Sequence, residues 1–206
     1  MTEVAAAQAA SEQASIDGPQ VWLGPDQETR QDEWLYEIST DDAEALARAT
    51  VIAQESGRDI LDITAADFPL GSFAPKLAEI REELLRGRGF KLLRGLPIEG
   101  RSIHGIAVMY WGIGAHLGVA VSQNAKGHVL GHVKDLGHDY SDPLARGYQT
   151  SARLPYHTDY SDLVGLLCLK TAKNGGLSSL VSSGAIYNRA ISERPDLAKA
   201  LMQPFY

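Results

Sequence analysis

A single cysteine, Cys168, stands in 206 residues, so no intrachain disulfide can form. With no signal-like segment at the start, this favours a reducing, cytoplasmic setting. No stretch approaches the roughly 20 apolar residues of a membrane span, which argues against a membrane partner. Cations are also short: 19 Lys and Arg face 26 Asp and Glu, for a formal net charge of -7. Phosphate binding wants a basic face, so nucleic acid is not the expected partner. No internal repeat is present. The Gly175-Gly176 pair lacks the lysine and helix context of a phosphate loop, which disfavours a nucleotide site.

What is present suits a globular domain. Hydrophobic residues make up 44% and charged residues 22%, enough apolar material to bury a core without a disulfide or metal staple. Met1 to Ser15 is rich in Ala, Gln, Ser and Glu, and Gly18-Pro19 marks its end, so residues 1–18 read as a disordered leader. Residues 19–206 are expected to form one domain.

Trp34, Tyr36 and Ile38 alternate with Leu35 and Glu37, predicting a short strand. Asp41 and Glu44 have capping-box spacing and open a helix that runs to Ser56 and stops at Gly57, with Leu46, Ala49, Thr50 and Ala53 as its apolar face. A second helix is expected near Pro75, burying Leu77, Ile80 and Leu84 before Gly87. Phe90-Lys91-Leu92-Leu93 reads as a strand, and Arg94-Gly95-Leu96-Pro97 as its exit turn. A third helix follows Ser102, with Ile103, Ile106, Ala107, Tyr110, Gly114 and Leu117 at helical period. Its glycines cost up to about 1 kcal/mol each relative to Ala, so close packing against a neighbour is expected.

Beyond Gly118 short β-like runs appear at Val119-Val121 and His128-Val133, followed by a long loop from Gly137 to Pro155. Val164-Lys170 reads as a buried strand with Cys168 packed inside, Asn174-Gly175-Gly176 as a tight turn, and Ser178-Val181 as a further strand. Short helices are expected from Ser183 and Pro195. Helices in front and interrupted strands behind make an α+β arrangement. The final Pro204-Phe205-Tyr206 reads as an extended segment that stops as it begins, which points to truncation.

His157-Thr158-Asp159 carries the chemistry. Along an extended strand, side chains two apart share a face, so an imidazole and a carboxylate can converge on one ion. That pair is two-thirds of the facial triad that holds non-haem Fe(II) and leaves positions open for cosubstrate and oxygen. The bland alternative is a surface histidine beside a turn-forming aspartate, and spacing alone does not choose between the two.

The stretch from Leu154 through Ser183 resembles the TauD/TfdA-like (taurine dioxygenase) family of 2-oxoglutarate dioxygenases, in which a His-Thr-Asp is followed by an apolar strand, a Gly-Gly turn and a hydroxyl residue. Gly89-Phe90-Lys91-Leu92-Leu93-Arg94-Gly95-Leu96-Pro97, Tyr110-Trp111-Gly112-Ile113-Gly114, Val121-Ser122-Gln123-Asn124-Ala125-Lys126-Gly127 and Gly131-His132-Val133-Lys134-Asp135 are similar to segments of a bacterial and fungal branch. The resemblance implies a double-stranded β-helix (jelly-roll, clavaminate synthase-like) core with flanking helices, incomplete at the C-terminus. It also implies Fe(II) and 2-oxoglutarate as cofactors, molecular oxygen and a small-molecule substrate as partners, and His157 and Asp159 as metal ligands. Ser178 stands where the family has a hydroxyl, usually threonine, that binds 2-oxoglutarate. Gln123 and Asn124 are candidates for orienting substrate or cosubstrate through their amides, with plain loop chemistry as the alternative.

Two departures stand out. No histidine follows His157, and neither Arg189 nor Arg194 matches the family arginine that pairs with the distal carboxylate of 2-oxoglutarate. A truncated, non-catalytic relative acting as an interaction module is therefore the competing expectation. A zinc site of His128, His132 and His157 is a third. His138 lies close by, while His104 and His116 read as structural. Tyr148, Gln149 and Tyr156 sit on the approach to the motif, where pocket lining is one reading. Homo-oligomerisation is left open.

Overall fold

The stripe Leu46, Ala49, Thr50 and Ala53 becomes the buried face of helix α3 (Thr40–Glu55) in the computed structural model, which describes residues 14–123, 127–141 and 147–204. The buried Thr50 hydroxyl donates to the Leu46 carbonyl at 2.7 Å, so its polar atom is satisfied inside the core. Gly57 follows with φ of +67°, the left-handed conformation that ends helices and that glycine adopts without strain.

The chain divides into two compact units where one domain is expected. The first draws on residues up to Thr40, Ala78–Leu96 and the chain from Leu169; the second on Asp41–Leu77 and Pro97–Cys168. Helix α4 (Phe73–Arg86) starts two residues ahead of Pro75 and passes from the second unit into the first. Phe73, Leu77 and Ile80 are buried and Leu84 half-buried.

In the second unit α5 (Ile103–Leu117) is capped by the Ser102 hydroxyl, which accepts from the Gly105 N–H at 3.1 Å. Its buried face differs from expectation. Gly105, Ile106, Val108, Met109, Gly112 and Ile113 point inward, while Ile103 is 58% exposed. A helix apolar on nearly every side carries no stripe to choose its inner face. Here a close approach chooses it, because a Cβ on Gly112 would lie 2.3 Å from the buried ring of Phe68. Only glycine lets that ring sit on the helix backbone. Trp111 Nε1–H donates to the Ile63 carbonyl at 2.9 Å and His116 Nε2–H to the Phe68 carbonyl at 2.8 Å, clamping residues 63–68 along α5. The fully buried Phe68 side chain contributes about 1.5–3 kcal/mol.

In the first unit α1 (Gly24–Glu28) and α2 (Gln31–Trp34) lead into β1 (Leu35–Glu37). β1 pairs in parallel with β2 (Leu92–Arg94), in the register Leu35 with Leu92, Tyr36 with Leu93 and Glu37 with Arg94. The second strand thus lies two residues beyond the expected start at Phe90. That ring instead packs against Trp22 and Trp34, with centroids 5.0 and 5.7 Å away. α6 (Ser183–Glu193) and α7 (Pro195–Leu201) complete the unit. The Ser182 hydroxyl caps α6 and also donates to the Gln20 carbonyl at 2.6 Å, and the Asn188 amide pairs with both backbone groups of Ile16. Ile16 falls within the expected leader, whose residues 1–13 lie outside the described residues.

Beyond α5 the structure departs from the expected strands. Residues 119–121, 128–133, 164–170 and 178–181 are irregular, and the described residues form no jelly-roll. Leu166 is 77% exposed, and Cys168 is exposed rather than packed in a strand interior. The physical reason is that an extended run becomes a strand only when a neighbour takes up its N–H and C=O groups. Among the described residues 164–170 has no such neighbour. No helix among the described residues is long and apolar enough to cross a membrane.

Candidate metal centre

The approach to the His-Thr-Asp motif is built by backbone pairing in the second unit. Lys134 N–H donates to the Tyr148 carbonyl at 3.1 Å and Leu136 N–H to the Gln149 carbonyl at 2.9 Å, which ties residues 134–136 to 147–149. Leu154 lies over Gly147, where a Cβ would meet it at 2.3 Å. Beyond the motif Gly165 lies under Tyr110 of α5, at a distance of 2.6 Å from a Cβ position to the hydroxyl. Burial pushes the Tyr110 phenol above its ordinary value. The motif is thus held on both flanks within one unit, and Tyr110 is one of the holding residues.

Between these anchors His157 and Asp159 lie in an irregular extended segment rather than at the lip of a strand. The His157 Nδ1 stands 2.8 Å from the Pro155 carbonyl. A carbonyl can only accept, so Nδ1–H is the donor and Nε2 is the ring nitrogen left free of that bond. Nε2 and the Asp159 Oδ1 are 4.0 Å apart, and both side chains are 55% exposed. Two cis donors with bonds of about 2.1 Å to one divalent ion stand about 3 Å apart. The observed separation is about 1 Å wider, within reach of a rotation of either half-exposed side chain. The donor set, one imidazole nitrogen and one carboxylate, suits a divalent transition ion. Sequence reasoning missed the Pro155 carbonyl, since nothing in residue types marks which ring nitrogen will be turned to the backbone.

The other candidates fall less tightly together. Gln123 is exposed in the same unit, its N–H donating to the His128 carbonyl at 2.6 Å and its side-chain amide to the Val121 carbonyl at 3.0 Å. Asn124 lies outside the described residues. Ser178 belongs to the first unit, exposed just beyond Gly175 and Gly176, whose φ values of +73° and +72° are left-handed and follow a bend at residues 173–174. Tyr156 is exposed, and Tyr148 and Gln149 are half-buried. Among the described residues no three of His, Cys, Asp and Glu converge on one point, so a His128-His132-His157 zinc cluster is not formed there.

The family model described as taurine catabolism dioxygenase TauD, TfdA family matches residues 54–206, about three-quarters of the chain and all of this site. The chain belongs to the TauD/TfdA family. Two relatives come from a bacterium and a fungus. The FR-33289 synthase of Streptomyces rubellomurinus is 33% identical over 183 residues, covering 88% of this chain and 54% of that protein. The taurine hydroxylase-like protein SAT17 of Stachybotrys chartarum is 29% identical over 196 residues, covering 91% of this chain and 50% of that protein. The chain thus spans about half the length of the TauD/TfdA relatives it matches.

Proposed function

We propose that this chain serves in an Fe(II)- and 2-oxoglutarate-dependent dioxygenase that hydroxylates a small molecule and releases succinate and CO2. The observation carrying this reading is His157 Nε2 standing 4.0 Å from the Asp159 carboxylate, with Nδ1 engaged by Pro155, inside a stretch that belongs to the TauD/TfdA family. Membership alone would supply the activity by analogy; the placing of the two donors adds chemistry of this chain's own. One relative is named a taurine hydroxylase-like protein, in keeping with hydroxylation.

In this reading His157 and Asp159 hold Fe(II), with a further ligand drawn from outside the described residues. Bound there, Fe(II) and 2-oxoglutarate supply the oxygen chemistry: one O2 oxygen enters succinate as CO2 leaves, and the other enters a C–H bond of the substrate as hydroxyl. The protein does the holding. The Pro155 carbonyl takes up Nδ1–H, so Nε2 would be the ring nitrogen that binds the cation. Asp159 offsets one of the two positive charges. A hydroxyl such as that of Ser178 would suit a carboxylate of 2-oxoglutarate, and the Gln123 and Asn124 amides would suit orienting substrate or cosubstrate. A double-stranded β-helix, as in the family, would give 164–170 and 178–181 the neighbours their backbones lack among the described residues.

An anaerobic titration of the chain with Fe(II) and 2-oxoglutarate tests the reading. A visible charge-transfer band that saturates, and that Asp159→Ala abolishes, is the expected result. A band unchanged in Asp159→Ala, or succinate formation that survives His157→Ala, would overturn it.

A further inference from the structure

Helix α6 is held by a segment that lies ahead of the family-matched stretch. Residues 14–22 run along it within the first unit, while the family model begins at residue 54. On α6, Asn188 accepts from the Ile16 N–H at 2.8 Å through Oδ1 and donates to the Ile16 carbonyl at 2.7 Å through Nδ2. The Tyr187 hydroxyl donates to the Ala14 carbonyl at 3.4 Å, and the Ser182 hydroxyl to the Gln20 carbonyl at 2.6 Å. Val21 lies against Gly184, where a Cβ would stand 3.0 Å from a Val21 methyl. All four of these hydrogen bonds reach the backbone of the segment, as those of a neighbouring strand would.

The helix needs this hold. α6 has 11 residues and α7 has 7, and helices shorter than about 12–15 residues are marginal in water on their own. Packing of an apolar face normally makes up the difference. Yet among the described residues α6 buries no residue fully, Ile186 is 53% exposed, and α7 buries Ala198 alone. So little apolar burial stabilises the pair weakly, and the bonds to residues 14–21 carry much of the hold. The far end of the segment is firm, because Trp22 Nε1–H donates to the Arg88 carbonyl at 2.9 Å and the indole packs on Phe90. Ahead of it Ile16 to Gln20 are all exposed, and Gly18 turns the chain at φ of +132°. Exposed hydrogen bonds with little burial behind them mark the low end of local stability.

We propose that residues 14–21 form a releasable strap, and that α6 and α7 lose their order together when it lets go. Trp22 stays in place as the fixed end. Two helices of the family-matched stretch are thereby controlled by a segment outside it, so a change confined to residues 14–21 is felt at α6 and α7. The inference is independent of the dioxygenase reading, because its test reads no oxygen chemistry.

Amide hydrogen exchange of the full ¹⁵N-labelled chain tests this, with Ile16, Ile186 and Met109 reporting on the strap, α6 and α5. Asn188→Ala removes both bonds to Ile16 and should speed exchange at Ile16 and Ile186 alike by at least about fivefold. Met109, buried on α5, should stay within about twofold of its rate in the unaltered chain. Alanine is a better helix former than asparagine, so faster exchange at Ile186 could not arise within the helix itself. Arg189→Ala breaks only the ion pair with Glu193 inside α6 and should leave Ile16 unchanged. Acceleration in Asn188→Ala at Ile16 alone, at all three sites equally, or at none would overturn the proposal.

Discussion

His157 gives its Nδ1–H to the carbonyl of Pro155, two residues back, and the ring thereby turns Nε2 toward Asp159. A side chain 55% exposed would otherwise sample both tautomers and several rotamers. The bond is local, made within three residues, so it does not depend on distant packing.

The first prediction concerns that pair. His157→Ala and Asp159→Asn remove a donor and a charge from half-exposed positions that carry no core packing. Urea unfolding should move by no more than about 0.5 kcal/mol in either variant. Fe(II)-dependent succinate formation, assayed with the same proteins, should fall below detection. Activity retained with an unaltered fold would remove these residues from the centre.

Gly112→Ala should be costly. Its Cβ would lie 2.3 Å from the Phe68 ring, and both residues are buried, so the ring must leave its place or α5 must shift. Overpacking of this kind costs about 1–3 kcal/mol, read from the urea midpoint. Gly114→Ala on the same helix meets nothing within 4 Å and should be neutral or mildly stabilising. Equal effects at both positions would contradict the close approach.

Gly165 and Tyr110 should behave as a coupled pair. A Cβ at Gly165 would stand 2.6 Å from the Tyr110 hydroxyl, so Gly165→Ala should loosen the segment that follows the metal motif. Tyr110→Phe removes the offending oxygen and should rescue much of the loss. In a double-mutant cycle the coupling should exceed about 0.5 kcal/mol. Additive effects would show that the contact does not hold the segment.

Asp67 gives a pH signature. The Thr64 hydroxyl donates to its carboxylate at 2.7 Å and the Thr64 N–H at 2.9 Å, and with Arg58 these hold its carboxyl below the ordinary aspartate value of 3.8. A depressed folded pKa stabilises the protein above the unfolded value and is lost as pH falls through the folded one. The contribution should therefore be complete above pH 3.8 and fade below it. Thr64→Val removes the largest cause, so NMR titration should find Asp67 closer to its ordinary value, with a shallower acid loss of stability. An unchanged Asp67 titration would refute the assignment.

Much of the front half was legible in the residues. The capping-box spacing and the stripe of Leu46, Ala49, Thr50 and Ala53 located α3, because burial selects one face of a helix and leaves a period of 3.6 in the sequence. Gly175 and Gly176 stand in left-handed backbone, which favours glycine.

Other features were decided only in three dimensions. Which side of α5 faces inward depended on the Phe68 ring finding Gly112, a contact across 44 residues that no periodicity records. Whether 164–170 is a strand depended on a pairing partner, since a strand is a property of two segments and an apolar run is a property of one. Likewise, the hold on α6 depended on Ile16 meeting Asn188 across 172 residues. Local patterns encode what each residue prefers; only the folded chain sets which preferences meet.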